Sequence, residues 1–437
     1  MYCSLLSHVK LSKNLSYIKE KSFAYTNLQE IDFPDSLIEL GTFSFMYTPI
    51  KKYVFKEGFV KFYNQSLAFT NATIVEVPST LRFIGYDVFQ ENNVTRLIIP
   101  EGLEVLQHRA FEFSKIEYFE FPSSIKTVES FSFRYNCAND LIFKEGLQYI
   151  NSCAFFESNF TNVKLPSTLK SIGSYSFYRC PIQNIEVPQN AQIDNIGSYA
   201  FTLLMHPNFS FPNGTKQISK FGFYGCVINN LEIPVTLTRM DNWSFVEITC
   251  ENLVFQPGYN LVPECTFPFS DIQNYTFPKT LRNFSRYSFT STAVKELEIF
   301  DNTYIGEAAF EDCRKIFNIS IQTDTNIGKW AFSNCNATLN ITTYGDFIAD
   351  ETSFINVTNV TIVHYGPHDI YVASTREGLR TVPKIVYVMC CYRSKYYASM
   401  KPNNFTECSP ALSCISNRHD FYPVRYYGIT ALYLGLN

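Results

Sequence analysis

The sequence predicts a β-rich solenoid of about sixteen stacked units, with a concave parallel β-sheet and a small cysteine-containing tail as its cap. Three observations lead there. A large apolar residue recurs every 22 residues, short alternating runs end on proline at one fixed phase, and aromatic residues are abundant where charge is scarce. Of the 437 residues, 16% are aromatic and only 17% charged, so the chain is too apolar for disorder.

The anchor comes first. Phe23, Phe45, Leu67, Phe89, Phe111, Phe133, Phe155 and Phe177 are spaced by 22. After a step of 24 the series runs through Phe201, Phe223, Phe245, Phe267 and Phe289. After a step of 21 it continues at Phe310, Phe332 and Phe354. Fifteen of these sixteen anchors are phenylalanine, where 41 phenylalanines spread over the chain would supply one or two by chance. The pattern weakens at Leu67, around Cys265 to Phe267 and after Gln322.

Each unit then reads as a sequence of elements. Runs such as Ile31-Asp32-Phe33, Ile185-Glu186-Val187 and Leu231-Glu232-Ile233 alternate with period two, the mark of a strand with one buried face. Proline follows, as at Pro34, Pro188 and Pro234, and ends the strand because it lacks an N–H. Pairs such as Leu37 with Leu40 and Leu169 with Ile172 form a second short strand. Glycine comes next at Gly41, Gly85, Gly173, Gly197, Gly306 and Gly328, where a tight turn or close backbone approach excludes a Cβ. One unit cannot fold alone. Ordering its residues costs roughly 30 kcal/mol, and its few buried side chains return about 2 to 3 kcal/mol each. Stacking supplies the rest.

Segments such as Pro166-Ser-Thr-Leu169-Lys-Ser-Ile172-Gly173, then Phe177-Tyr-Arg-Cys180 and Ile185-Glu-Val187-Pro188, resemble the leucine-rich repeats of BspA-like surface proteins of mucosal bacteria and parasitic protists. The resemblance spans residues 6 to about 365. It implies a leucine-rich-repeat solenoid over 1–365 and a separate cap or tail over 366–437. It also implies a surface antigen or adhesin engaging host, matrix or microbial proteins or glycans.

The repeat phase begins at once, with Leu6, Val9 and Leu11 matching Leu28, Ile31 and Phe33, so the chain is expected to start on a strand. No polar cap and no signal peptide precede it, which implies a shortened N-terminus or an export signal of unrecognisable form. No run is long and apolar enough to span a bilayer. In the tail, Ile385 to Val388 reads as a strand, followed by Cys390, Cys391, Cys408 and Cys414, which one or two disulfides are expected to pair.

The formal charge of -4 without basic runs removes a nucleic-acid footprint. The six histidines share no phase, and no nucleophile precedes a base at usable spacing, so no catalysis or cofactor is expected. His364 and His368 with Asp369 read as surface groups more readily than as metal ligands. Cys180, Cys226, Cys313 and Cys335 sit three residues after their anchors, in a small buried slot. Only Cys313 and Cys335 lie in adjacent units, close enough for a disulfide, with inert buried thiols as the plainer reading even there.

Sixteen Asn-x-Ser/Thr sequons occur, well over twice what composition supplies, and favour a secreted or surface protein. Asn64, Asn71, Asn93, Asn159, Asn242, Asn283 and Asn404 are the candidate glycan acceptors. Against them, asparagines at one phase, among them Asn162, Asn184, Asn252, Asn274 and Asn318, can instead form a hydrogen-bonded ladder. Finally, the outward strand position alternates acidic and apolar residues. Asp32, Glu76, Ile98, Glu120, Glu186, Glu232 and Glu298, with Arg96 and Tyr118 nearby, form a candidate partner-binding strip, a two-unit duplication being the plainer alternative. An intracellular repeat scaffold remains the competing function.

Overall fold

The computed structural model describes residues 3–205, 209–322, 324–336, 338–344, 347–357 and 359–364, and the backbone of strands Tyr371–Val372, Ile385–Val388 and Thr430–Ala431. Among the described residues the strand pairings are parallel, and partners from Tyr17 to His364 stand about one repeat apart, as in Asn162 with Asn184 and Thr127 with Tyr149. Among the described residues there is no helix. Contacts divide the chain into two compact units. The first holds Met1–Ile228 with Thr236–Arg239, and the second Asn229–Val235 with Met240–Asn437.

Two ladders run through each unit. The narrow ladder is built of two-residue strands such as Tyr17–Ile18, Glu39–Leu40 and Ser171–Ile172, whose second residue is buried. The wide ladder uses longer strands such as Ile74–Glu76, Arg96–Ile98 and Asn184–Glu186, with only the central residue buried. It starts at Lys52–Val54. The strand expected around Leu6 to Leu11 does not form, and residues 31–33 form no strand either, although Phe33 is buried. In the second unit Ile385–Val388 pairs with residues 361–364, so this tail segment extends the wide ladder.

The glycines after the narrow strand mark a close approach. Gly41 donates to the Ile18 carbonyl at 2.7 Å, and a Cβ there would stand 2.8 Å from Glu20 N and Lys19 C. No neighbouring side chain could yield, because the obstruction is backbone.

The anchor turn has a feature that no residue type announces. Residues two before and two after the anchor have positive φ in nearly every unit: Phe43 at 58° and Tyr47 at 57°, Arg109 at 53° and Phe113 at 56°, Tyr175 at 57° and Arg179 at 53°. For non-glycine residues this conformation costs about 1–2 kcal/mol each. The return is in backbone pairing. The amides of Lys21, Phe23 and Tyr25 donate to the carbonyls of Thr42, Ser44 and Met46 in the next unit at 3.0, 2.8 and 2.9 Å. The intervening Ser22 and Ala24 amides bond back to Lys19 and Lys21 at 3.3 Å. Alternate amides therefore point along the stack, and the turn becomes a third ladder without being a strand.

The anchors stack through these turns. Phe111, Phe133 and Phe155 are fully buried, with ring centroids 4.9 and 5.5 Å apart. The irregular steps do not interrupt them. Phe177 and Phe201, 24 residues apart, stack at 5.3 Å, and Phe289 and Phe310, 21 apart, at 5.5 Å. Leu67 is equally buried, and its flanking Gln65 and Phe69 keep positive φ, so that unit is regular despite its different anchor.

The slot three residues after the anchor holds a donor. Ser114, Ser158 and Ser270 give their hydroxyl protons to the carbonyls of Phe89, Phe133 and Phe245, the preceding anchors. Cys180, Cys226 and Cys335 give their thiol protons to Phe155, Phe201 and Phe310 in the same way. The phase of these cysteines is thus explained by hydrogen bonding as well as by size.

Two outcomes follow for stability. Phe133→Ala, which opens a void between two stacked rings, is expected to cost about 3–5 kcal/mol in urea unfolding. Ser158→Ala is expected to cost about 1–3 kcal/mol, because it leaves the Phe133 carbonyl without its hydroxyl donor and removes one of the two acceptors of the Asn136 N–H. Ser158→Cys should cost clearly less, since a thiol serves elsewhere in this slot.

Candidate interaction surface

The wide ladder shows two outward columns on each strand, one on either side of its buried residue. In the first unit, register places Arg96 beside Tyr118 and Ile98 beside Glu120. The Arg96 guanidinium lies 5.0 Å over the Tyr118 ring. Ile74, Ile98, Tyr118 and Ile142 are 44%, 47%, 48% and 54% exposed, Ile74 and Tyr118 in the first outward column and Ile98 and Ile142 in the second, one on each of four successive strands.

The carboxylates between them are mostly paired across neighbouring strands. Lys52 reaches Glu76 at 3.4 Å, Lys144 reaches Glu120 at 3.8 Å, Lys164 reaches Glu186 at 3.3 Å and Lys56 reaches Asp32 at 3.9 Å. These exposed pairs each contribute about 1 kcal/mol or less. Their larger effect is to leave the exposed apolar side chains set among near-neutral pairs.

The nine residues expected as one strip are divided. Asp32, Glu76, Arg96, Ile98, Tyr118, Glu120 and Glu186 lie in the first unit, and Glu232 and Glu298 in the second. Asp32 also precedes the first wide-ladder strand. Glu232 accepts from Gln256 Nε2 at 2.8 Å.

Where the wide ladder of the first unit ends, after Asn184–Glu186, a groove of about 370 Å³ lies between Lys164, Glu186 and Pro188 on one side and Phe209 and Ser210 on the other. The second unit has a larger polar groove of about 710 Å³ at the anchor turns, lined by Asp312, Arg314, Asn334 and Asn356 among others. Asp312 there holds Arg314 at 2.7 Å, and Asn356 donates to Asn334 at 2.8 Å.

The turn side of the first unit carries features that the strip reading missed. Tyr25, Tyr47 and Phe69, all with positive φ, stack at 4.9 and 4.7 Å. Tyr175, Tyr199 and Phe221 do so on the other flank at 4.8 and 4.7 Å. Between such stacks the side chain of Glu112 is almost fully buried, bonded to Arg134 at 3.2 Å and to Gln90 at 3.0 Å. Arg134 in turn lies against the Phe113, Phe131, Tyr135 and Phe156 rings. The signal was present as aromatic residues repeating two positions from the anchor.

A second pattern runs at double the period. Glu57, Glu101 and Glu145 each accept from the backbone and hydroxyl groups of the following unit: Ser79, then Ser123 with Ser124, then Ser167 with Thr168. Gly58, Gly102 and Gly146, which follow these glutamates, have positive φ and donate to Thr80, Ser124 and Thr168 at 2.9 Å. These bonds hold all three carboxyls below the ordinary range, the Ser79, Ser123 and Ser167 backbone amides contributing most.

Asp87 behaves oppositely. Half-burial raises it, although Arg109 and His108 stand near.

Cys313 and Cys335 do occupy the same slot in adjacent units, but both are free buried thiols. Cys313 donates to the Phe289 carbonyl at 3.3 Å and Cys335 to Phe310 at 3.2 Å, so each thiol is engaged along the stack. Burial pushes Cys180, Cys226 and Cys313 up to about 12, far from a reactive thiolate. Cys390, Cys391, Cys408, Cys414 and Asn404 lie outside the described residues, as do His368 and Asp369. Among the described residues no group of three metal-binding side chains converges.

A family model described as BspA type leucine rich repeat region matches in six copies, at residues 1–117, 62–157, 84–202, 126–245, 194–316 and 285–372. No curated protein matches the chain. Solved structures with a similar path include the pneumococcal vaccine antigen PcpA, at 14% identity over 68% of this chain and 84% of that one, with a TM-score of 0.39. A leucine-rich repeat protein from Bacteroides ovatus ATCC 8483 matches at 16% identity over 80% and 82%, with a TM-score of 0.44. A leucine rich cell surface protein from Faecalibacterium prausnitzii A2-165 matches at 16% over 83% and 86%, with a TM-score of 0.35.

The glutamate clamps set a pH dependence. Their folded-state carboxyls are lowered, so the stabilisation is complete above the ordinary carboxylate range and is lost as pH falls through the lowered values. Urea midpoints should therefore decline on acidification. A triple variant with Glu57→Gln, Glu101→Gln and Glu145→Gln should decline less steeply between neutral and acid pH.

Proposed function

The chain belongs to the BspA-type leucine-rich-repeat family, and from that premise we propose that it is a non-catalytic surface or secreted protein that binds proteins or glycans on host, matrix or microbial surfaces. The observation that carries this reading is the exposed apolar set Ile74, Ile98, Tyr118 and Ile142, which alternates between the two outward columns of the wide ladder in the first unit. A single exposed isoleucine means little, but three isoleucines and a tyrosine, one on each of four successive wide-ladder strands, form a patch that a partner can cover. Tyr118, pinned beneath Arg96, supplies the aromatic and arginine pair enriched where interfaces concentrate their energy. The backbone beneath is fixed by its neighbours, so binding would cost little ordering.

A specific observation favours the competing reading of an intracellular scaffold. All nine cysteines among the described residues are free, and Cys3 and Cys137 are exposed, as suits a reducing compartment. Fractionation of the native cell decides the location, since intact cells shaved with protease lose a surface protein and keep a cytosolic one.

The binding surface is tested with the purified chain on immobilised matrix proteins and on host cells. Ile98→Asp combined with Tyr118→Ala is expected to weaken binding at least tenfold, with the unfolding midpoint unchanged, and Glu298→Ala should bind as the parent does. Equal binding by the parent and the double variant would move the surface elsewhere.

A further inference from the structure

Eight of the sequons fall into two structural classes. On the wide ladder of the second unit, Asn252 donates to Asn230 at 2.8 Å and Asn274 to Asn252 at 3.1 Å. Farther on, Asn318 donates to Glu296 at 3.1 Å and Asn340 to Asn318 at 3.3 Å. Three of these rungs, Asn274, Asn318 and Asn340, are sequons whose amides are committed along the ladder. On the narrow ladder, Asn283 has its Oδ1 buried.

The turns present the other class. Asn14, Asn71, Asn159, Asn213 and Asn242 are exposed, and among the described residues none of their side-chain amides is hydrogen-bonded. Asn71 and Asn159 share one phase, four residues after the anchor, and so project from the same flank of their unit.

We infer that N-glycans are sorted by this geometry: the turn sequons Asn71, Asn159 and Asn242, with Asn14 and Asn213, carry sugar, while the ladder sequons Asn274, Asn318 and Asn340 stay bare. The reason is spatial. Rungs stand about 4.8 Å apart, so a hexose on one Nδ2 overlaps the side chain of the next rung. A chain modified there before folding also loses a side-chain bond that closes the ladder. A turn asparagine has solvent around its amide and nothing to lose. The sorting leaves the outward strand faces free of glycan, which is where a partner would dock.

This rests on the surface reading, and the experiment separates the two. The full chain is secreted from a eukaryotic cell line behind an added export signal, and occupancy at each asparagine is read by mass spectrometry after enzymatic deglycosylation. Occupied turn sites with unoccupied ladder sites are expected. Ladder sites occupied as fully as turn sites, or turn sites left unmodified in the secreted product, would overturn the sorting. In a glycosidase mobility shift, Asn71→Gln with Asn159→Gln and Asn242→Gln should lose most of the shift. Asn274→Gln with Asn318→Gln and Asn340→Gln should lose none. Protein from its native cell that is unmodified throughout, beside a sorted secreted product, would refute the surface reading while leaving the geometric rule standing.

Discussion

Everything in this protein depends on where alternate backbone amides point in the anchor turn. A 22-residue loop of chain has two short strands and a long stretch of turn, and the turn's N–H groups need partners. Positive φ on both sides of the anchor turns every second amide toward the next unit, so the turn pairs as fully as the strands do. The anchor ring is then delivered to the same place each time, and centroid spacings of 4.9 to 5.5 Å follow from the backbone repeat as much as from ring attraction. Residues such as Phe43 or Arg109 tolerate a conformation they rarely adopt alone because the neighbouring unit requires it.

Polar side chains finish what the backbone begins. The donor three residues past the anchor caps the preceding anchor's carbonyl, and serine or cysteine serves equally. The glutamate clamps at every second unit join pairs of repeats more firmly than their sequence period alone suggests. Glu112 and Arg134 show the same principle in a partly buried setting, where a carboxylate is paired with a guanidinium that is itself packed against aromatic faces. Removing Arg134 would leave the buried Glu112 with only Gln90 and the more distant Arg109.

Much of the fold was legible because its determinants are local and periodic. The phenylalanine spine, the alternating strand, the proline stop and the glycine of close approach each follow from one residue type at one phase. The left-handed flanks were not legible, because Lys21, Phe43, Asp87 and Tyr175 share no side-chain chemistry, and the constraint comes from hydrogen bonds to a neighbouring unit. The clamps left a trace, with Glu-Gly at 57, 101 and 145 alternating with Ser and Thr turns, but the alternation gains meaning only when units stand in register. For the surface, sequence located the outward positions but treated them as one strip. It could not show that lysines from adjacent strands neutralise the carboxylates, nor that the chain divides into two compact units. Cys313 and Cys335 were correctly placed as neighbours, and their hydrogen bonds to anchor carbonyls leave them unbridged.

The parallel ladders also dictate how such a protein answers force. Strands lie across the direction of stacking, so a load pulling successive repeats apart opens each interface as a zipper, a few hydrogen bonds at a time, and no long strand must slide past another. Each released repeat yields roughly 75 Å of chain, taking about 3.5 Å for each of its residues. A tethered molecule of this kind would lengthen in small increments under modest tension and dissipate the pull in a succession of weak ruptures while its remaining repeats stay folded.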